Sequence, residues 1–417
     1  MPKHMLHISL FFLLLTASTG VWMRLYTVSN SVHIIPYDHL LHGHSHAAIL
    51  GWTFLAMLII FFKLSWDELD NMQQEAKLLI LSTGILTFIM FIAFLVEGYA
   101  LYSIILSTVH ILIEYWAIIF ILRFLKKKPS IPFASRLFMK GAFLTLFISS
   151  LGPWSLGVIA SQQLQKSDLF DMAIYFYLHF QYNGWLTLML IGMFIYALSK
   201  KGIQIQKNIV IYSFWTYTIS LFPGYFLSIL WYDFGKIGII LGMIGAFGQL
   251  ISVMLLCYTF FKNKITIQFH FSNRNHSLLK IVFILFFCKS ILELFLLYSP
   301  LANLIYETRN LVIGYLHLVL LGFITLFIFA LYQMETLIDD TKLFVNVGIL
   351  IFLIGFGINE IILFLSGLSQ LILDKPILFQ NHLLTIASGL LTFGILFIWC
   401  SLFTRQKKIV STTNKNP

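Results

Sequence analysis

Residues 40–52 read LLHGHSHAAILGW: His42, His44 and His46 fall within five positions, and apolar sequence follows without a break to Gly51 and Trp52. An ionisable side chain inside a membrane span is expensive unless it is paired, ligated or facing a cavity. The stretch therefore raises two questions, whether a span begins here and what the imidazoles do in it. Composition answers the first. Of 417 residues 59% are hydrophobic, 17% aromatic and only 11% charged, which leaves too little polar surface to cover a soluble globule. Apolar runs of about 20 residues, the length needed to span a bilayer, recur at 6–28, 44–63, 78–97, 103–124, 137–160, 172–198, 208–231, 237–262, 279–298, 309–332, 343–366 and 379–403. The expectation is an all-α integral membrane protein, one polytopic domain over 1–417 with about twelve transmembrane helices.

The net charge of +10 does not point to nucleic acid, because the basic residues segregate by loop. Arg123, Lys126, Lys127, Lys128, Arg136 and Lys140 crowd the fourth connection, and Lys200, Lys201, Lys207, Lys262, Lys264, Arg274 and Lys280 follow in later even-to-odd connections. Only Arg24, Lys166, Lys236, Arg309 and Lys375 lie in the opposite ones. By the positive-inside rule both termini are cytoplasmic, with Arg405, Lys407 and Lys408 as a basic tail, in a bacterial inner membrane. The first run has only Lys3 before it and no small-residue cleavage site, so it reads as a retained helix. Cys257, Cys288 and Cys400 form no CxxC or CxxCH. They predict no disulfide framework and no covalent heme attachment, and read as apolar core residues.

A repeat organises the histidines. His46 is followed by AAILGW, His179 by FQYNGW and His317 by LVLLGF, each reading His, four residues, Gly, then an aromatic. They lie about a third of the chain apart, on the second, sixth and tenth runs, which suggests three four-helix arcs over approximately 1–130, 131–270 and 271–417. His110 and His382 open the fourth and twelfth runs on the same outer side, whereas the eighth has no histidine near Met243.

Neutral imidazole is the commonest metal ligand, and its second nitrogen is usually oriented by a carboxylate or carbonyl. Glu114 stands one helical turn after His110 and fits a metal site, a proton relay or a structural hydrogen bond. His44 and His46 point about 200° apart on a regular helix, so one metal cannot take both. With Pro36, Asp38 and Gly43 reading as loop, His46 is the deep ligand, and His33, His39 and His42 form a polar outer mouth. Lys289 and Glu293 are four apart and predict an internal ion pair. Glu97 and Glu360 are the other intramembrane charges.

These features resemble the catalytic subunit of the heme-copper oxidase and nitric oxide reductase superfamily. The resemblance implies that His46 and His317 are the axial ligands of a low-spin heme b. It also places His179 at a copper-ligand position, while Gln181 stands where oxidases carry Glu and Tyr315 where the high-spin heme ligand would be. The seventh run, SILWYDFG, lacks the expected His-His pair, so the resemblance implies a degenerate binuclear centre that retains one of three copper ligands. The chain is also similar to the NnrS class of twelve-helix heme and copper proteins linked to nitric oxide stress.

The leading expectation is thus a heme-binding membrane protein in respiratory electron transfer or nitrogen-oxide response, working with lipid and a redox partner or respiratory-complex subunit. His44, Glu114, Tyr315 and Gln181 would orient its ligands. One alternative is an active terminal oxidase or nitric oxide reductase whose metal site is rebuilt from His179, His110 and His382. Another is a metal-ion transporter or channel.

Overall fold

A computed structural model describes residues 1–2, 4–373 and 377–403, so Lys3, Lys375 and the tail of Arg405, Lys407 and Lys408 lie outside the described residues. Twelve principal helices follow in chain order: α1 His4–Leu25, α2 Tyr37–Glu68, α3 Asp70–Glu97, α4 Leu101–Lys127, α5 Phe133–Ser161, α6 Asp168–Lys200, α7 Lys207–Ser228, α8 Gly235–Lys262, α9 Asn273–Phe295, α10 Arg309–Met334, α11 Leu343–Gln370 and α12 Gln380–Cys400. No strand occurs among the described residues. Ten of these helices are long and apolar enough to cross a membrane, so the chain is a multi-pass membrane protein. The exceptions are α7, whose length is rich in Tyr, Trp, Ser and Thr, and α9, which carries Arg274, Lys280, Lys289 and Glu293.

The helix of the histidine stretch starts earlier than expected. Pro36, which has no N–H to lose, stands just before Tyr37, and regular helix runs through His42, Gly43 and His44. Gly43 is tolerated because α3 comes close: a Cβ there would lie 3.2 Å from Leu95 and 3.3 Å from Phe91.

The three helices that carry the histidine repeat sit at the centre. Their apolar windows are 89%, 94% and 61% buried for α2, α6 and α10, against 28–44% for the other seven spans, and the three pack on one another. Trp52 Nε1 donates to Thr325 Oγ1 at 3.0 Å, tying α2 to α10. Each of the three also widens into π-helix at the repeat, over Ala47–Thr53, His179–Leu186 and Leu318–Thr325. A π turn holds one extra residue and turns the side chains beyond it to a new face, a feature common at functional sites.

The outer helices pack in a regular order. α1 leans on α2, α5 on α6 and α9 on α10. Beyond each central helix its successor pairs with the next, α3 with α4, α7 with α8 and α11 with α12, and α4–α5, α8–α9 and α12–α1 contacts close the ring. Cys288 and Cys400 face outward on this ring, contrary to the core placement expected, because each falls on the lipid side of its helix; Cys257 is partly buried.

Small residues bring the backbones of the outer pairs together, as in membrane helix packing generally. A Cβ on Gly245 of α8 would lie 2.2 Å from Gly224 Cα of α7. Gly245→Ala must push the two backbones apart and is expected to lower stability by about 1–3 kcal/mol, the usual range for overpacking. Gly157→Ala, with nothing within 4 Å of its Cβ position, is the control. Thermal unfolding in detergent checks both.

Candidate functional site

Around the central trio the polar side chains gather in three places. The first lies among α1, α2, α10, α11 and α12, where His44 and His317 line one cavity of 80 Å³ with Thr16, Gly20, Asn359 and Ser388 among Leu13, Leu320, Leu321, Phe352, Leu391 and Ile395. His44 Nδ1 lies 3.0 Å from the Thr16 carbonyl. A carbonyl only accepts, so Nδ1 carries the proton and Nε2 keeps its lone pair, the tautomer a metal ligand needs. The ring fits because residue 20 is Gly: a Cβ there would lie 3.3 Å from His44 Cε1.

His317 Nδ1 lies 3.0 Å from the Asn359 amide, whose Nδ2 also reaches Glu360 Oε1 at 3.0 Å. In this orientation the amide donates to Nδ1, which leaves the proton on Nε2. With the amide turned over, Oδ1 accepts from Nδ1–H and from a protonated Glu360, and Nε2 is free to ligate. Arg24 and Arg309 act on one another electrostatically, and Arg24 also acts on both histidines. Neither arginine forms an ion pair among the described residues; Arg309 instead sits over the Tyr37 ring at 5.2 Å.

The second place lies among α2, α3 and α4. His46 packs on Phe94 with ring centroids 4.3 Å apart and faces Tyr99 at 6.4 Å, and its Nε2 is buried without a partner. His110 and Glu114, both buried, meet at 3.2 Å from Nδ1 to Oε1. The expected pairing of His46 with His317 is therefore corrected: His44 shares the cavity with His317, and His46 turns to the other side of α2.

The third place lies among α6, α7, α9, α10 and α11, around a cavity of 310 Å³ lined by His179, Tyr182, Glu293 and Tyr315, with Trp231 and Tyr306 higher up. His179 Nε2 donates to the Leu221 carbonyl at 2.9 Å, and Nδ1 has only two long contacts, Asn183 Nδ2 at 3.3 Å and Ser228 Oγ at 3.4 Å. Lys289 Nζ donates to Glu293 Oε1 at 2.9 Å, the expected ion pair, and Tyr315 Oη donates to the same oxygen at 2.6 Å. Gln181 on α6 and Gln249 on α8 are buried, with Gln181 Nε2 and both amide atoms of Gln249 unpartnered.

The structure does not assemble a metal site from His179, His110 and His382. His110 is turned to Glu114 on α4, and His382 is exposed at the start of α12 against Phe379. No group of three metal-capable side chains occurs among the described residues. Of the outer-mouth histidines, His33 stacks on Tyr26 and His39 Nδ1 donates to the Leu95 carbonyl at 3.2 Å. Glu97 caps α4, its Oε1 accepting from the Ser103 amide at 2.6 Å.

The donor set of the first cavity fits a heme: two imidazoles from different helices, each held through Nδ1, with apolar walls and two arginines toward the mouth. The space is too small as it stands, since 80 Å³ is far smaller than a porphyrin, and a heme would enter only if the walls of the cavity parted. Asn359, Arg24 and Arg309 were not singled out as site residues in the sequence; Asn359 beside Glu360 in an otherwise apolar run is the signal that marks α11. No protein-family model matches the chain and no curated protein matches it significantly, so its chemistry is read from these residues.

Proposed function

We propose that this chain is a heme-binding protein of a bacterial inner membrane, with the heme held between His44 of α2 and His317 of α10 and a role in respiratory electron transfer or nitrogen-oxide response. The observation that carries it is the pair of imidazoles facing one apolar cavity, with His44 locked in the ligating tautomer by Thr16. Held by His44 and His317, a heme would supply one-electron chemistry, and two imidazole ligands would leave no place for substrate, which suits transfer over catalysis. The protein's part is to hold the rings, offer Arg24 and Arg309 to the carboxylates, and keep water out.

In the same reading α7 and α9 also cross the membrane, giving twelve spans in three four-helix arcs with both termini cytoplasmic. The recurring contact order and the π turn in each central helix support the arcs. The resemblance to heme-copper oxidases extends to this arrangement, and Tyr315 bound to Glu293 stands where the high-spin ligand would be. Copper is not part of the proposal. The protein purified after expression with ample heme is expected to show a low-spin b-type spectrum, with sharpened bands on dithionite reduction. A colourless product that takes up no added hemin refutes the reading.

A further inference from the structure

We propose that His42 and His46 of α2 bind a divalent transition cation of the zinc class on the side of α2 that faces α3 and α4. Two histidines four residues apart on a regular helix leave one face a turn apart and can ligate the same ion. α2 meets that condition, because its α-helical part runs from Tyr37 through His46 and the π turn begins only at Ala47. His44, between them, turns instead to the cavity it shares with His317.

The same two aromatic rings flank both imidazoles. His42 lies 5.4 Å from Tyr99 and 6.0 Å from Phe94, and His46 lies 6.4 Å and 4.3 Å from them, centroid to centroid. A Cβ on Gly43 would lie 3.3 Å from Phe91, so the glycine beside His42 is what lets α3 bring Phe94, and Tyr99 just beyond it, against the histidines.

The protein leaves the nitrogens unused. His46 Nε2 is buried without a partner, and neither ring nitrogen of His42 has a hydrogen bond among the described residues. His33 and His39, by contrast, each spend a ring nitrogen on a backbone carbonyl. A buried polar atom left open costs free energy that a bound ion recovers.

Charge and access suit a cation. Asp38 stands one turn before His42, is exposed and acts on it electrostatically. On the buried side His110, tied to Glu114 at 3.2 Å, acts on His46. Exposure falls from Asp38 through half-buried His42 to the buried His46 Nε2, which gives the ion a way in from the surface at Asp38. Imidazole donors suit zinc, nickel or copper, whereas magnesium and calcium want oxygen. No group of three metal-capable side chains occurs among the described residues, so water completes the coordination.

The test is calorimetric titration of the full protein, purified without a histidine tag, with Zn2+. A single saturable site per chain is expected, which a large excess of Mg2+ or Ca2+ does not displace. His42→Gln and His46→Gln each remove one of the two ligands and are expected to weaken binding at least about tenfold, while His33→Gln and His382→Gln leave it unchanged. If His46→Gln does not fold, the unaltered protein serves: bound Zn2+ is expected to protect His42 from diethyl pyrocarbonate, read by mass spectrometry. Absence of saturable Zn2+ binding, displacement by Mg2+ or Ca2+, full affinity in His42→Gln, an effect of the His33 or His382 change equal to it, or an unprotected His42 each overturns the proposal. The absorption spectrum reads the His44–His317 cavity independently: a heme-free protein that binds Zn2+ sinks the heme reading alone, and a heme-loaded protein that does not sinks this one alone.

Discussion

His44→Ala and His317→Ala are each expected to abolish the low-spin heme spectrum, while His46→Ala leaves it essentially unchanged. The first two remove one of the two imidazoles that share the cavity among α1, α2, α10, α11 and α12. Loss of an axial ligand either releases the heme or turns the remainder high-spin. His46 lies on the opposite side of α2, packed on Phe94 and Tyr99, and its removal touches only that cluster. Thr16 holds His44 through a carbonyl, which no side-chain change removes, so Gly20→Ala is the finer probe: its Cβ would lie 3.3 Å from the imidazole and should tilt the ring and shift the reduced bands without bleaching them. Absorption spectra and pyridine hemochrome quantification of the four variants decide the matter. A spectrum lost in His46→Ala and kept in His44→Ala refutes the assignment.

That His44 and not His46 shares the cavity with His317 has a geometric cause. The histidine repeat is visible in the chain and falls at the π turn in every central helix. The inference that repeated histidines must face one another does not follow. With α2, α6 and α10 packed on one another at the centre, equivalent residues on the three helices point into three different interiors. His46 turns toward α3 and α4, His179 toward α7, and His317 toward α11. What meets each repeat histidine comes instead from a neighbouring central helix, two residues before that helix's own repeat position. His44 meets His317 in one cavity and Tyr315 meets His179 in another. Tyr177 on α6, close enough to Glu114 and Tyr99 to act with them electrostatically, is their counterpart in the third interior.

The i, i+2 spacing of His44 and His46, read from the sequence as a deep ligand and a residue that orients ligands, places the two rings in two interiors at once. The ten spans were legible because a helix in lipid must be apolar over its whole length. The shared cavity of His44 and His317 was not, since it depends on how the helices face one another. Helix boundaries failed in a similar way at Gly43: the residue is a poor helix former alone, and only the approach of Phe91 and Leu95 on α3 makes its missing side chain an advantage.

Lys289→Met is expected to destabilise the protein by about 3–5 kcal/mol, the cost of leaving one member of a buried ion pair uncompensated. Lys289 is fully buried and Glu293 is 5% exposed, and they meet at 2.9 Å on one face of α9. Removing the ammonium leaves the Glu293 carboxylate with only the Tyr315 hydroxyl, at 2.6 Å, and an Oε2 that already lacks a partner. The carboxyl must then take up a proton or draw water into the bundle. The double variant Lys289→Met/Glu293→Leu removes both charges and is expected to recover most of the loss, because a buried pair replaced by apolar groups of similar volume is often neutral. In that variant the Tyr315 hydroxyl is left without its acceptor, so adding Tyr315→Phe should recover the remainder, about 1 kcal/mol. Unfolding midpoints for the single, double and triple variants in one detergent read the series. A single variant as stable as the parent shows that water reaches Glu293 and that the pair contributes nothing to folding. A double variant no better than the single shows that Lys289 acts through packing of its aliphatic stem and that charge compensation is not its role.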